Sequence, residues 1–513
     1  MEPISSNKRI AKNTVLLYIR TLIVLVISLY TSRLILKALG AEDLGLYNVV
    51  GGIVALMAFF RAALSKATSR FITYGLGSGN DNETLKRIFS AAMTNHLIIA
   101  GLAILLGETI GLFILKNWTD IPENRQMAAF WTYQCALVIF CLHIITAPFE
   151  SIVIAHEKMS FYAYISILSA ILKLGIAFIM LNSLLDRLIL YGVLMVLMDV
   201  VILIIYILYD RRKYPVFRFR PFWDPNYSKL MFAFSGWTLL GSSANALTQQ
   251  GVSLLFNNFV GLIANAALGF ANQVNGALSQ FVSSFHTAFN PQIIKLYAQQ
   301  QMKQMHLLIN RASKFSFILT YMIALPLIVN MDFILNVWLG DVPQYTTEFC
   351  QLILISCIID STTSVFNTSI TATGNIRGFQ IGISMSFFLD VFAAAVLLLI
   401  HQHPALVFGS RIVTRGFINM AIELYFVKKQ LSFDLRHYFI TVLLPIMLTV
   451  VVTVPLVWCS AQYFSGWLRL IISGMVSLVC CACLSMSLYI NSDERKTIGR
   501  IVRSKISLFI HTK

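Results

Sequence analysis

Apolar runs of about 20 residues, the length that crosses a bilayer as an α-helix, recur from end to end of the 513-residue chain with no soluble domain between them. Their cores fall at 14–36, 44–74, 88–114, 128–150, 160–182, 188–209, 229–257, 262–289, 312–335, 346–372, 378–400, 404–427, 439–460 and 466–490. The expected fold is an all-α polytopic membrane protein of about 14 transmembrane helices. Long runs such as LLYIRTLIVLVISLY exclude a transmembrane barrel, whose strands alternate and turn about every ten residues. The residues NKRIAKN lead straight into the first full-length span without a small-residue cleavage site, so that helix is expected to be retained.

One stretch departs from the greasy pattern: LGFANQVNGALSQFVSSFHTAFN, residues 268–290. At about 100° per residue, Asn272, Asn275, Gly276, Ser279, Ser283, His286 and Asn290 form one stripe of a helix. Phe270, Val274, Ala277, Phe281, Phe285 and Phe289 fall opposite. The preceding helix repeats the spacing with Ser242, Asn245, Gln249, Ser253 and Asn257. Lys and Arg are nearly absent from these stripes, whereas a helix lying flat on a membrane carries a basic polar face. Two adjacent wet stripes point to a water-filled cavity; hydrogen bonding inside a packed bundle is the alternative.

Composition strengthens the membrane assignment. Hydrophobic residues make up 57% and charged residues 12% of the chain, with a mean hydropathy of +0.74, outside the soluble globular range. The net charge of +16 raises nucleic acid as a partner, and its distribution argues against it. Lys8, Arg9 and Lys12 precede the first span, and Lys66, Arg70, Lys86 and Arg87 lie between the second and third. Arg211, Arg212, Lys213, Arg218, Arg220 and Lys229 join the sixth to the seventh, and Lys295, Lys303, Arg311 and Lys314 the eighth to the ninth. Lys428, Lys429 and Arg436 follow the twelfth, and Arg495, Lys496, Arg500, Arg503 and Lys505 fill the tail. All share one side, while Asp120, Glu123, Asp332, Asp341 and Glu348 mark the other, so both termini are expected in the cytoplasm of a cell whose inner membrane holds the chain. Some attraction to anionic membrane lipid follows from the same surplus.

The eight cysteines, among them Cys135, Cys141, Cys357, Cys480, Cys481 and Cys483, show neither metal-ligand spacing nor an extracytoplasmic pairing pattern and read as packing residues. The HQH at 401–403 lacks a nearby carboxylate and reads as a polar turn. No cofactor or metal is expected.

A duplicated six-helix unit returns the chain to its starting side and gives parallel halves. LGAEDLGLYNVVGGI at 39–53 resembles ANAALGFANQVNGAL at 264–278, with Gly45 over Gly269, Gly52 over Gly276 and, further on, Arg87 over Arg311. The expected organisation is an N-terminal lobe at 1–209, a basic linker at 210–228, a C-terminal lobe at 229–430, two further helices within 431–490 and a basic tail at 491–513.

Ionisable groups at mid-membrane cost about 2.5 to 3.5 kcal/mol each on insertion scales and are functional candidates by default. Lys173 and Asp199 sit about 11 and 14 residues from the turn joining their helices, a depth mismatch of about 5 Å. Asp390 and Arg415 occupy the equivalent places of the second half with signs exchanged, so each half is expected to hold one buried ion pair, either a lock or a gating and ion-coupling device. Asp360 and, less strongly, His143 are further candidates for coupling H+ or Na+. Arg20 lies one to two turns into the first helix, and Lys66 and Arg70 share a face by i,i+4 spacing while Arg61 points elsewhere. Such cations suit a phosphate group; snorkelling to the interface is the competing reading.

The segment from Asn13 through TSRLILKALGAEDLGLYNVVGGI, with Arg33, Leu39, Gly40, Asp43, Gly45 and Tyr47, resembles the opening of Wzx-type polysaccharide flippases of the multidrug/oligosaccharidyl-lipid/polysaccharide exporter superfamily. Helix number and loop lengths extend the resemblance over nearly the whole chain. It implies a carrier that moves undecaprenyl-diphosphate-linked oligosaccharide from the cytoplasmic to the periplasmic leaflet by alternating access with ion coupling, beside other polysaccharide-assembly proteins. It also implies that the first, second, seventh and eighth helices line the cavity. From the residues themselves, Arg20, Lys66, Arg70, Asn245, Gln249, Asn272, Asn275, Ser279 and His286 are the expected substrate contacts, and Lys173, Asp199, Asp360, Asp390 and Arg415 the coupling or gating groups.

A drug exporter of the same fold would favour carboxylates and aromatics in its cavity, which the first two helices do not supply at mid-depth. A lipid II flippase is a close sibling. A membrane enzyme needs a nucleophile with its base, paired carboxylates or a metal site, and the sequence holds no Asp-x-Asp, His-Glu-x-x-His or Walker loop. A non-enzymatic carrier is the expectation.

Overall fold

The computed structural model describes residues 3–55, 58–117, 121–219, 224–485 and 487. Asp120, Arg220 and the basic tail from 491 fall outside the described residues, as do the side chains of Lys8 and Arg9. Every regular element among the described residues is a helix. In chain order they are α1 (Pro3–Ala55), α2 (Ala58–Gly77), α3 (Asn82–Leu106), α4 (Leu112–Asn117), α5 (Gln126–Ala155), α6 (Met159–Leu181), α7 (Arg187–Lys213), α8 (Pro225–Phe259) and α9 (Leu262–Ala298). Then come α10 (Met302–Val329), α11 (Met331–Leu339), α12 (Thr346–Thr373), α13 (Arg377–Leu399), α14 (Ala405–Arg411), α15 (Asn419–Leu431), α16 (Leu435–Tyr438), α17 (Leu444–Gln462) and α18 (Gly466–Leu484). Wider π-helical turns at Gly107–Gly111, Ile412–Ile418 and Phe439–Leu443 carry α3 into α4, α14 into α15 and α16 into α17.

Side-chain caps and basic last turns close helix ends. Asp81 accepts from the Thr84 amide at 3.1 Å, and Asp186 from those of Leu188 and Ile189 at 3.0 and 3.2 Å, which satisfies amides that the first turn leaves unpaired. Arg211, Arg212 and Lys213 close α7 against the negative end of its dipole. The first two expected spans are not separated by a loop at their junction: α1 runs through the first and into the start of the second, bending at Gly40, whose φ of 78° suits glycine alone, and α2 carries the second span on from Ala58. The expected span 312–335 is divided instead, because α10 stops before Asn330 and α11 restarts at Met331.

Eleven helical stretches among the described residues are long and apolar enough to cross a membrane. The expected spans missing from that set are 44–74, 229–257 and 262–289. Length is not what excludes the last two, since α8 and α9 have 35 and 37 residues. Their amide and hydroxyl positions lower the hydropathy, and these are the positions of the wet stripes.

Packing is inverted relative to a soluble protein. α1 exposes Leu22, Val26 and Leu29 and buries Thr21 and Thr31, as lipid-facing helices do when the surrounding solvent is as apolar as a core. The described residues form two compact units, one within Met1–Leu247, Ser283–Met305 and Thr368–Ser384, the other within Thr248–Val282, His306–Asn367 and Met385–Lys513. Parts of α9, α10, α12 and α13 therefore belong to the first unit.

In the first unit, His96 is buried with Nδ1 donating to the Ile144 carbonyl at 2.7 Å and Nε2 accepting from the Thr68 hydroxyl at 3.0 Å. Arg125 pairs with Asp43 and, at 2.7 Å, with Asp186. Glu157, buried in the turn after α5, accepts from Lys295 Nζ at 2.9 Å and Gln292 Nε2 at 3.0 Å. In the second unit, Tyr438 meets Ser313 at 2.8 Å, Tyr321 meets Thr453 at 2.6 Å, and Asn330 donates to Ser473 at 2.8 Å. Interhelical hydrogen bonds of this kind hold helices that share no hydrophobic driving force in lipid.

Candidate functional site

The second unit contains the expected Asp390–Arg415 pair in a larger form. The Asp390 carboxylate, 1% exposed, accepts from Arg411 Nε at 3.1 Å and from the Thr414 hydroxyl at 3.1 Å, and Arg415 Nε lies 3.1 Å away as an ion-pair contact without a hydrogen bond. Arg415 lies 4.6 Å from the Phe387 ring centre, and its NH2 group is buried without a hydrogen bond among the described residues. Both arginines flank the start of the π turn at Ile412–Ile418, a wide turn of the sort that recurs at functional sites. Asp360 of α12 is exposed and lies in the electrostatic field of Arg415 and Arg411. Ser279 of α9 hydrogen-bonds Cys357, one turn before Asp360.

In the first unit the expected Lys173–Asp199 pair is replaced. Asp199 is buried with His143 Nε2 3.1 Å from its Oδ2, while Lys173 contributes only through the longer-range field. His143 on α5 reaches the carboxylate first. Arg20 is half-buried and donates to Ser166 Oγ at 3.0 Å, with its guanidinium 5.1 Å from the Tyr162 ring centre. Lys66 is half-buried. Arg70 is buried, against the expectation of an interfacial or cavity position: it donates to the Ala372 carbonyl at 3.0 Å and lies 4.7, 4.9 and 5.9 Å from the rings of Phe71, Tyr74 and Phe234. Burial and aromatic contacts suit a clamp on the turn after α12.

The polar stripe of α9 is real but turned. Gly269, Asn272, Gln273, Gly276, Gln280 and Ser283 are exposed, while Ala267, Leu268, Ala271, Leu278, Phe285 and Phe289 are buried. Asn275, Ser279 and His286 flank the exposed face half-buried, and Ser279 donates to Asn275 at 3.5 Å. On α8, Gln249 and Asn257 are exposed and Asn245 is half-buried, its Oδ1 without a hydrogen bond among the described residues.

Arg411 and Thr414 of the Asp390 cluster and Gln273 and Gln280 of the exposed α9 face were not among the expected site residues. Arg411 stands four residues before Arg415, a helical spacing that marks it in retrospect. Among the described residues no group of three or more His, Cys, Asp or Glu side chains is placed to hold a metal ion.

A family model described as polysaccharide biosynthesis protein matches residues 10–297, more than half of the chain. The chain belongs to the polysaccharide biosynthesis protein family. Solved structures similar to this family member include MATE in its straight conformation, with a TM-score of 0.70 at 13% identity over 83% of this chain and 96% of that one. A MOP superfamily transporter from Pyrococcus furiosus matches with a TM-score of 0.69 at 12% identity over 82% of this chain and 96% of that one. A mutant of VcmN, a MATE transporter of Vibrio cholerae, matches with a TM-score of 0.66 at 17% identity over 85% and 99%. No curated protein sequence matches the chain. The likeness establishes a MATE-like membrane transporter fold, so this polysaccharide biosynthesis protein is a multi-pass membrane protein of transporter architecture.

Proposed function

We propose that this polysaccharide biosynthesis protein is a flippase. It moves undecaprenyl-diphosphate-linked oligosaccharide from the cytoplasmic to the periplasmic leaflet of the bacterial inner membrane, for O-antigen or capsule assembly, by alternating access coupled to H+ or Na+. The observation that carries this reading is the exposed face of α9, where Asn272, Gln273, Gln280 and Ser283 alternate with Gly269 and Gly276. Amides facing lipid are costly, so the face calls for water or a polar ligand. Neutral amides and hydroxyls match sugar hydroxyls, and glycines leave room for a ring to approach. For the Pyrococcus furiosus transporter, a binding pocket of reverse polarity suggests a different function, and pocket polarity is likewise the argument here.

Within this reading both termini are cytoplasmic, as the basic loops require. Arg20 and Lys66 serve the diphosphate; Asn245, Gln249, Asn272, Asn275, Ser279 and His286 serve the sugars; Arg70 holds the turn after α12. Asp360, exposed beside two arginines, is the preferred ion-exchange group, whereas Asp390 and the His143–Asp199 pair, with Lys173 behind it, hold their units together.

Deleting the gene and sorting the accumulated lipid-linked saccharides by the leaflet that exposes them tests the reading. Complete units trapped on the cytoplasmic face and released by the intact gene are expected. Complete units reaching the periplasmic face normally, together with a rise in drug sensitivity, would transfer the fold to drug export.

A further inference from the structure

The first unit contains an ionic cluster around Glu150, near the end of α5. Arg20 from α1, Arg61 from α2 and His143 from α5 itself set the electrostatic field at this carboxylate, and the Tyr162 hydroxyl from α6 hydrogen-bonds it. Tyr206 of α7 lies in the field of the same carboxylate. Asp199 of α7 engages His143, and His96 of α3 lies within the field of Arg61. His143 is thereby paired elsewhere, so Arg20 and Arg61 face a single carboxylate. Arg20 Nε is buried without a hydrogen bond among the described residues, while its NH2 is held by Ser166. Two guanidinium groups thus act on the Glu150 carboxylate, and Arg20 keeps donor capacity unspent at Nε.

We propose that Arg20, Arg61 and Ser166 bind the diphosphate of the cargo and that Glu150 takes up a proton when they do. The inference rests on the flippase reading, which supplies the diphosphate. Arginine forks match phosphate oxygens in two-point contacts. An anion bound there shares a poorly hydrated site with the Glu150 carboxylate, and two like charges at close quarters raise the proton affinity of the one that can be protonated. A proton from bulk water adds to a Glu150 oxygen, both arginines turn their charge to the ligand, and nothing else is made or broken. Proton and anion then bind together, the opposite sense from an exchange in which a proton displaces the cargo.

The test uses the full chain in lipid nanodiscs with farnesyl diphosphate as the probe. Calorimetric titrations in buffers of differing ionisation enthalpy count protons taken up, and repetition across pH follows affinity. The intact chain is expected to take up as much as about one proton more per ligand than Glu150→Gln, and its affinity to fall with rising pH by up to about tenfold per unit more steeply. The ligand's own titration is common to both. Tyr162→Phe, which removes a hydrogen bond to the carboxylate, is expected to move the dependence to higher pH, and it decides the matter if Glu150→Gln does not fold. Equal proton uptake by the intact chain and Glu150→Gln, an unmoved dependence in Tyr162→Phe, or no binding of farnesyl diphosphate would each overturn the proposal. Failure of the flippase reading is read separately, from an unchanged leaflet distribution of lipid-linked saccharides in the deletion strain.

Discussion

Replacing Asp390 with Asn tests whether the arginine pair in the second unit is a structural lock. The change preserves shape and removes one charge from a carboxylate whose side chain is 1% exposed and which meets two guanidinium groups at 3.1 Å. At that distance and an effective dielectric constant of about 20, each contact is worth about 5 kcal/mol before desolvation is counted. Desolvation consumes most of this in the intact protein. The variant still buries both arginines and loses their counter-ion, which places the expected loss at about 3–5 kcal/mol. Adding Arg415→Gln should recover part of it, because Arg411 then has Asp360 within its field for partial compensation. A coupling of about 0.5–3 kcal/mol between the two substitutions is the corresponding expectation. Unfolding of the single and double variants in mixed micelles, followed by tryptophan fluorescence, measures these quantities. Native stability in Asp390→Asn, or strict additivity with Arg415→Gln, would refute the lock and return Asp390 to ion coupling.

Three further outcomes are expected. His156, in the turn between α5 and α6, is held below its ordinary value of 6.5 by burial, so the unfolded chain takes up the proton first as pH falls. Its contribution is complete above 6.5 and lost on acidification; the melting temperature should fall less between about pH 7.5 and 5.5 in His156→Gln than in the intact chain, and equal slopes would contradict this. Gly374 has φ +81°, and a methyl group there would meet Arg70 NH2 at 2.7 Å, so Gly374→Ala should cost about 1–3 kcal/mol in the same unfolding assay, whereas an unchanged midpoint would show that the turn yields freely. Gln273→Leu with Gln280→Leu should reduce saccharide export per inserted molecule severalfold in a complementation assay; undiminished export would remove the α9 face from the transport path.

Length and hydropathy carried most of the fold, because a bilayer admits long apolar stretches only as helices or closed barrels and this chain has no alternation. The spans hardest to rank by hydropathy were those of α8 and α9, whose polar positions give the proposed ligand its surface. The pairing of Asp390 with Arg415 was legible since both lie at similar depth on consecutive helices. Depth also nominated Lys173 for Asp199, but it does not specify azimuth, and His143 faces the carboxylate more closely. The α9 stripe was read by polarity alone. Burial of Ala267, Leu268, Ala271 and Leu278 turns the exposed face toward Gln273 and Gln280, an orientation set by neighbouring helices that no single-helix periodicity contains. Glu150 escaped notice because it closes an apolar span, where a carboxylate ordinarily snorkels; the arginines around it come from α1 and α2, more than eighty residues earlier in the chain.

Transport itself is measured with the purified chain in liposomes loaded with a polyprenyl-diphosphate oligosaccharide. An external impermeant glycosidase then reports how much of the sugar lies in the outer leaflet. The intact chain is expected to bring inner-leaflet oligosaccharide within reach of the enzyme, and Arg20→Ala to slow this movement. Sugar that remains protected in the inner leaflet, in vesicles shown to contain folded protein under an imposed proton or sodium gradient, would contradict it.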